Sequence, residues 1–160
     1  MILFLLLNLI YCKFLNNTYM GELEILNYYQ LAFIANAIYL LTFTGLIFIT
    51  FRLVRVQREN NANTLGKILV TLFGLCTTFY GYNIFSYLRI NQLTQSFRLS
   101  ELESKGVGIS SVAESFIEFT GHTFDQGVPS SFAPEPAAAV FLLTFAAMII
   151  GGIWMKLTKD

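Results

Sequence analysis

Charge is what this sequence has least of. Only 12% of its 160 residues are Asp, Glu, Lys or Arg, about half the share of an ordinary soluble domain. Ten Lys and Arg spread along the chain against ten Asp and Glu leave no basic field for a nucleic-acid backbone, so nucleic acid is excluded as a partner. Histidine is limited to His122, and a bis-histidine haem cannot be held within the chain. The two cysteines, Cys12 and Cys76, are too few for a disulfide framework. Cys76 falls in the middle of an apolar run, and both read as free thiols. GxSxG, GxxxxGK[ST] and HExxH are all missing, which removes the usual signatures of nucleophilic hydrolysis, phosphate cradling and zinc hydrolysis. The composition points away from an enzyme and calls for no cofactor. Glu118, His122 and Asp125 are close in sequence, but Gly121 interrupts the helix that would pair the first two, and no metal site is expected there.

What the sequence has instead is three long runs without a single Asp, Glu, Lys, Arg or His. Residues 25–51 are followed at once by RLVRVQR, residues 68–88 lie between Lys67 and Arg89, and residues 136–155 lie between Glu135 and Lys156. At about 1.5 Å per residue each covers the roughly 30 Å of a bilayer's hydrocarbon. The expected fold is an all-α integral membrane helical bundle forming a single membrane domain over 1–160. Its parts are a helix over 25–58, one over 67–105 that runs on beyond the membrane, an external segment over 106–135 and a last helix over 136–156. A shorter run at 2–15 reads as a fourth, N-terminal hydrophobic helix. It has the length of a signal-peptide apolar region without the basic flank or small-residue cleavage site, Cys12 follows the bulky Tyr11, and Met20 is an alternative start.

Orientation follows from the flanking cations. Arg52, Arg55, Arg58 and Lys67 share one side with Lys156 and Lys159, while Lys13, Arg89, Arg98 and Lys105 fall on the other among most of the acids. The basic turn is expected to be cytoplasmic and the 89–135 connection external, in a bacterial inner membrane or an equivalent energy-transducing one. Arg52, Arg55 and Arg58 read first as a topology anchor and second as a holder of anionic headgroups.

Helix faces carry the remaining information. At 100° per residue Thr71, Gly74, Thr78 and Gly81 form a small-residue stripe, and Ala137, Val140, Thr144, Ala147 and Gly151 form a second, so the two are expected to meet as an antiparallel pair. Across the helix from the first stripe, Cys76, Tyr80, Asn83 and Tyr87 make a polar intramembrane face. Ala32, Ala35, Asn36 and Tyr39 make another on the first long helix, which turns Asn36 toward protein. Past the membrane, Glu101 pairs with Lys105 before a stop at Gly106. Thr64 is expected to cap the second long helix. A short helix is expected from about 112 to 120, with Ser111 and Glu114 as capping box, Gly121 as its stop, and Val112, Ala113, Phe116, Phe119 and Thr120 near one face.

No charge lies inside the runs, which weighs against an ion-coupled transporter. The expected function is a non-catalytic accessory, structural or assembly subunit whose partners are the bilayer and other membrane protein subunits. The alternative is a small self-assembling channel or transporter component, a homo-oligomer with the polar face lining its conduit.

Overall fold

A computed structural model describes residues 21–60 and 63–155 of the chain. The described residues form helices joined by short loops, with no strand: α1 (Glu22–Glu59), α2 (Thr64–Ser104), α3 (Ser111–Thr120), a 3₁₀ turn (Phe124–Gln126) and α4 (Pro136–Trp154). The expected N-terminal helix at 2–15 lies outside the described residues, as do Cys12, Lys156 and Lys159. Three helices, α1, α2 and α4, are long and apolar enough to cross a membrane, consistent with a multi-pass membrane protein.

Why α1 and α2 grow so long is a matter of what could stop them. All three prolines lie between residues 129 and 136, so nothing before that point removes a backbone donor. Glu22 and Glu24 favour the first turn of α1 through the helix dipole, and Glu24 accepts from the Gly21 N–H at 3.3 Å. The helix ends only at Glu59, with Asn60 as its C-cap. Asn63, and not Thr64 as the sequence suggested, caps α2, its side chain accepting from the Gly66 N–H at 2.9 Å. Asparagine holds the extended cap conformation and offers an acceptor, which moves the boundary back by one residue. At the far end Lys105 terminates α2 and Gly106 takes a left-handed turn, as the run without glycine between 82 and 105 predicted. Pro136 occupies the first position of α4, where its missing N–H costs nothing.

The α1–α2 hairpin is antiparallel, and α4 lies along it. Three apolar clusters follow one another down its length. Val54, Val70, Phe145, Ile149 and Ile153 join the helices near the basic 52–59 end, and Phe43, Ile84 and Leu142 join them in the middle. Ile25, Tyr29, Leu99 and Leu102 with Ala113 and Ile117 form the third, in a head where only α1, α2 and α3 meet. Threonine hydroxyls within the apolar helices are absorbed locally: Thr50, Thr77, Thr78 and Thr144 each donate to the carbonyl four residues back, at 2.7–3.0 Å.

Glycine sets the spacing in the middle. A Cβ on Gly81 would stand 2.6 Å from Phe43 Cε2 and 2.8 Å from Leu142 Cδ2, and one on Gly74 would stand 2.8 Å from Ile149 Cδ1. Phe43 is wedged among Phe85 and Phe145, and Ile149 is fully buried, so neither can retreat. Gly81→Leu and Gly74→Leu should each lower stability by about 1–3 kcal/mol or more through overpacking, whereas Leu75→Ala, at a position 42% exposed, should change it by less than about 0.5 kcal/mol. Thermal unfolding of the detergent-solubilised variants checks this, and parental stability in Gly81→Leu would contradict the close α1–α2 approach.

Candidate functional site

Of the two small-residue stripes, the one on α2 turns inward at Gly74 and Gly81 while Thr71 and Thr78 are half-buried beside them. The stripe on α4 does not face it. Thr144 and Ala147 are exposed, and a Cβ on Gly151 would touch only Met155 of its own helix. Ile149 fills the groove at Gly74 and Leu142, with Phe43 of α1, the one at Gly81, while Phe145 and Ile153 are buried on α4. A large side chain set into a glycine groove buries more apolar surface than two small surfaces facing each other would, so the expected antiparallel small-on-small pairing gives way to knobs on glycine. Trp154 bends back to α2, its Nε1–H donating to Thr71 Oγ1 at 3.1 Å.

The polar faces of α1 and α2 come together. A cleft of about 500 Å³ opens between the two helices on the head side of Gly81. From α1 it is lined by Ala32, Ala35, Asn36 and Tyr39, and from α2 by Tyr80, Asn83, Ile84, Tyr87 and Asn91. Cys76 is not among the lining residues; it lies below the cleft on an exposed part of α2. Asn83 donates from Nδ2 to the Phe79 carbonyl of its own helix at 2.9 Å. Asn36 is only 6% exposed, and its amide makes no hydrogen bond to any described residue. Asn91 is the lining residue that sequence reasoning did not single out. The i, i+4 step from Tyr87 would have added it to the stripe, but it follows Arg89, which marks the end of the apolar run.

Arg89 faces away from this cleft. Its Nη1 donates to the Pro134 carbonyl at 3.2 Å, and Tyr82 Oη donates to the Phe132 carbonyl at 3.0 Å, so α2 holds the lead into α4 at two points. The basic turn is solvated: Arg55 bridges to Glu59 at 2.7 Å, both side chains largely exposed, while Arg52 and Arg58 are exposed beside it. Among the described residues no three His, Cys, Asp or Glu side chains converge, and the His122 ring lies 3.0 Å from the Gly127 carbonyl.

The head is assembled by hydroxyls. Ser96, fully buried, donates to the His122 carbonyl at 2.6 Å and accepts from Thr120 at the same distance, and Ser100 accepts from the Phe124 N–H. Ser110, one residue earlier than expected, caps α3, and it also donates from its N–H and its hydroxyl to the Glu22 carboxylate of α1. Glu22 needs a donor as much as α3 needs a cap, and Ser110 reaches both. Ala113 and Ile117 turn inward with Phe116 half-buried, which leaves Val112 and Phe119 outside at 72% and 80% exposure. The five residues expected near one face are thereby divided, Ala113 turning inward with Phe116 and Thr120 half-buried, Val112 and Phe119 outward.

Comparison with protein-family models, with curated proteins and with solved structures finds no match to this chain. The site stands on its own geometry.

Glu101 supplies the head's electrostatics. The hydrogen bond from Lys105 Nζ at 2.6 Å, against a smaller opposing desolvation and with a further bond from Arg98, holds its carboxyl below the ordinary value. A lowered pKa contributes stability that is complete above the unfolded value of about 4.3 and is lost as pH falls through the folded value. Thermal unfolding followed from neutral pH to about pH 3 should therefore show a steeper acid decline in the parent than in Glu101→Gln. At neutral pH the variant should lose less than about 1 kcal/mol.

Proposed function

We propose that the chain is a non-catalytic accessory or assembly subunit of a larger membrane protein complex. In this reading it is multi-pass in a bacterial cytoplasmic membrane or an equivalent energy-transducing membrane, with the 52–59 end inside and the head outside. The observation that carries the reading is the outer face of α3. Gly81 lies against Leu142, six residues into α4, so by the rise of a helix Tyr87 stands about level with the start of α4 and the outer edge of the apolar zone. Ser96 and Leu102 then stand about 13 and 22 Å beyond that edge, past the headgroup layer, which is roughly 5–7 Å deep. Exposed Val112 and Phe119, on a helix docked against Leu99, Leu102 and Ser96, are thus large apolar side chains out of reach of lipid. Such a patch, rimmed by Ser111, Glu114, Ser115 and Glu118, fits contact with another protein.

The conduit reading draws on the polar cleft instead. One copy leaves that cleft open sideways between two helices, so a conduit would need several copies closing around it.

Two measurements test the proposal. A photoreactive amino acid at Phe119 should cross-link in native membranes to a different membrane protein that also co-migrates with the chain in mild detergent, and Phe119→Ser should weaken that co-migration while leaving thermal stability intact. A homo-oligomer alone, conducting in liposomes, would replace the proposal with the conduit reading. For orientation, in a chain whose native cysteines are replaced, an impermeant thiol reagent applied to intact cells should label Ser130→Cys and spare Asn60→Cys. The reverse pattern would overturn the topology.

A further inference from the structure

We infer that the cleft between α1 and α2 is a binding site for a membrane-resident amphiphile with an uncharged, hydrogen-bonding head, and that Asn36 holds the head. Depth is the first ground. On the same ruler Asn36, seven residues before Phe43, which packs on Gly81, stands level with Tyr87 at the edge of the apolar zone. Tyr80 lies about 10 Å inside that edge and Asn91 about 6 Å outside it. The cleft therefore straddles the boundary between hydrocarbon and headgroups, where an amphiphile's own polar and apolar parts divide.

The state of Asn36 is the second ground. Its side chain is more than nine-tenths buried, lines the cleft and has no hydrogen-bond partner among the described residues. Its amide is not fully enclosed and opens on the cleft, and because a poorly hydrated amide without a partner costs up to about 1–3 kcal/mol in proteins, a group in the cleft that accepts from or donates to it is favoured. Threonines and Asn83 of the same helices close their bonds on their own backbones, and Asn36 does not.

Charge selects the class of ligand. Every lining residue is Ala, Ile, Asn or Tyr. Arg89 is committed to Pro134 on another side of α2. Arg98, seven residues beyond Asn91 or about 10 Å, is bonded to Glu101. An ionised headgroup would be taken from water with no counter-charge to meet it. A hydroxyl, ester or carbonyl head meets amide and phenol groups that both donate and accept. The volume, about 500 Å³, falls in the usual range for small-molecule pockets. It suits a head and the first part of a tail, the rest leaving through the open side into lipid.

The test uses the full chain in phosphatidylcholine liposomes with two photoreactive probes of identical acyl chains, diacylglycerol and phosphatidic acid, and maps the labelled residues by mass spectrometry. Diacylglycerol should label residues 32–39 and 80–91 saturably and phosphatidic acid should not. Asn36→Leu should weaken the saturable labelling about five- to tenfold, as loss of one or two hydrogen bonds implies. Ala35→Trp, which fills the cleft without touching an amide, should abolish it, and Leu75→Ala should leave it unchanged. Equal labelling by both probes, persistence of the label in Ala35→Trp, or protection of the cleft only by a co-purifying protein would each overturn the inference. The accessory-subunit reading rests on the outer face of α3, so either can fail without the other.

Discussion

The contact of Phe43 with Gly81 holds the rest of the molecule in register. Lipid supplies no hydrophobic drive between helices, so α1 and α2 associate through close packing, and in the middle of the hairpin they close where α2 has no side chain and α1 sends in a ring. Phe43 is 2% exposed and sits edge-on to Phe85 and Phe145, which couples the same contact to α4. With that point fixed, each residue on α1 has a set partner level on α2. Thr50 meets Thr77 toward the basic end, and Tyr29 meets Leu99 and Leu102 toward the head.

On the head side of that contact the helices separate, and the gap is the cleft. Small residues on the α1 wall, Ala32 and Ala35, face long ones on α2, Tyr80 and Tyr87, and the space between them stays open. Further along, Ile25, Tyr29 and α3 close it again. A cavity between two tight contacts is held open by both, which is how a polar group such as Asn36 can be kept from lipid without being sealed in protein.

Function enters through what the fold leaves unfinished. Threonines in the spans are answered by the backbone four residues back, and Ser96, Ser100 and Ser110 close the bonds that hold the head, while Gln57 Oε1, Ser86 Oγ and Gln95 Oε1 are buried without a hydrogen-bond partner among the described residues. Two places open outward from the fold: the apolar outer face of α3, and the amide of Asn36 on the cleft. The first carries the proposed protein contact and the second the proposed amphiphile site.

Sequence alone determined the three apolar helices, their antiparallel order, the extension of α2 past its apolar run and the stop at Gly106, because each depends on local terms: charge-free length, missing prolines and a glycine free to take positive φ. It also placed Asn36, Tyr80, Asn83 and Tyr87 on polar faces, since the helical period needs no partner to be read. Which faces meet was decided only by the tertiary structure. The helical period marks Thr144, Ala147 and Gly151 as a seam but cannot weigh them against Leu142 and Ile149, whose advantage exists only opposite the empty space at Gly81 and Gly74. The same holds for α3, where Ala113 and Ile117 won the inner face over Val112 and Phe119 because Glu22 and Ser96, far apart in sequence, fix its two ends and thereby its rotation.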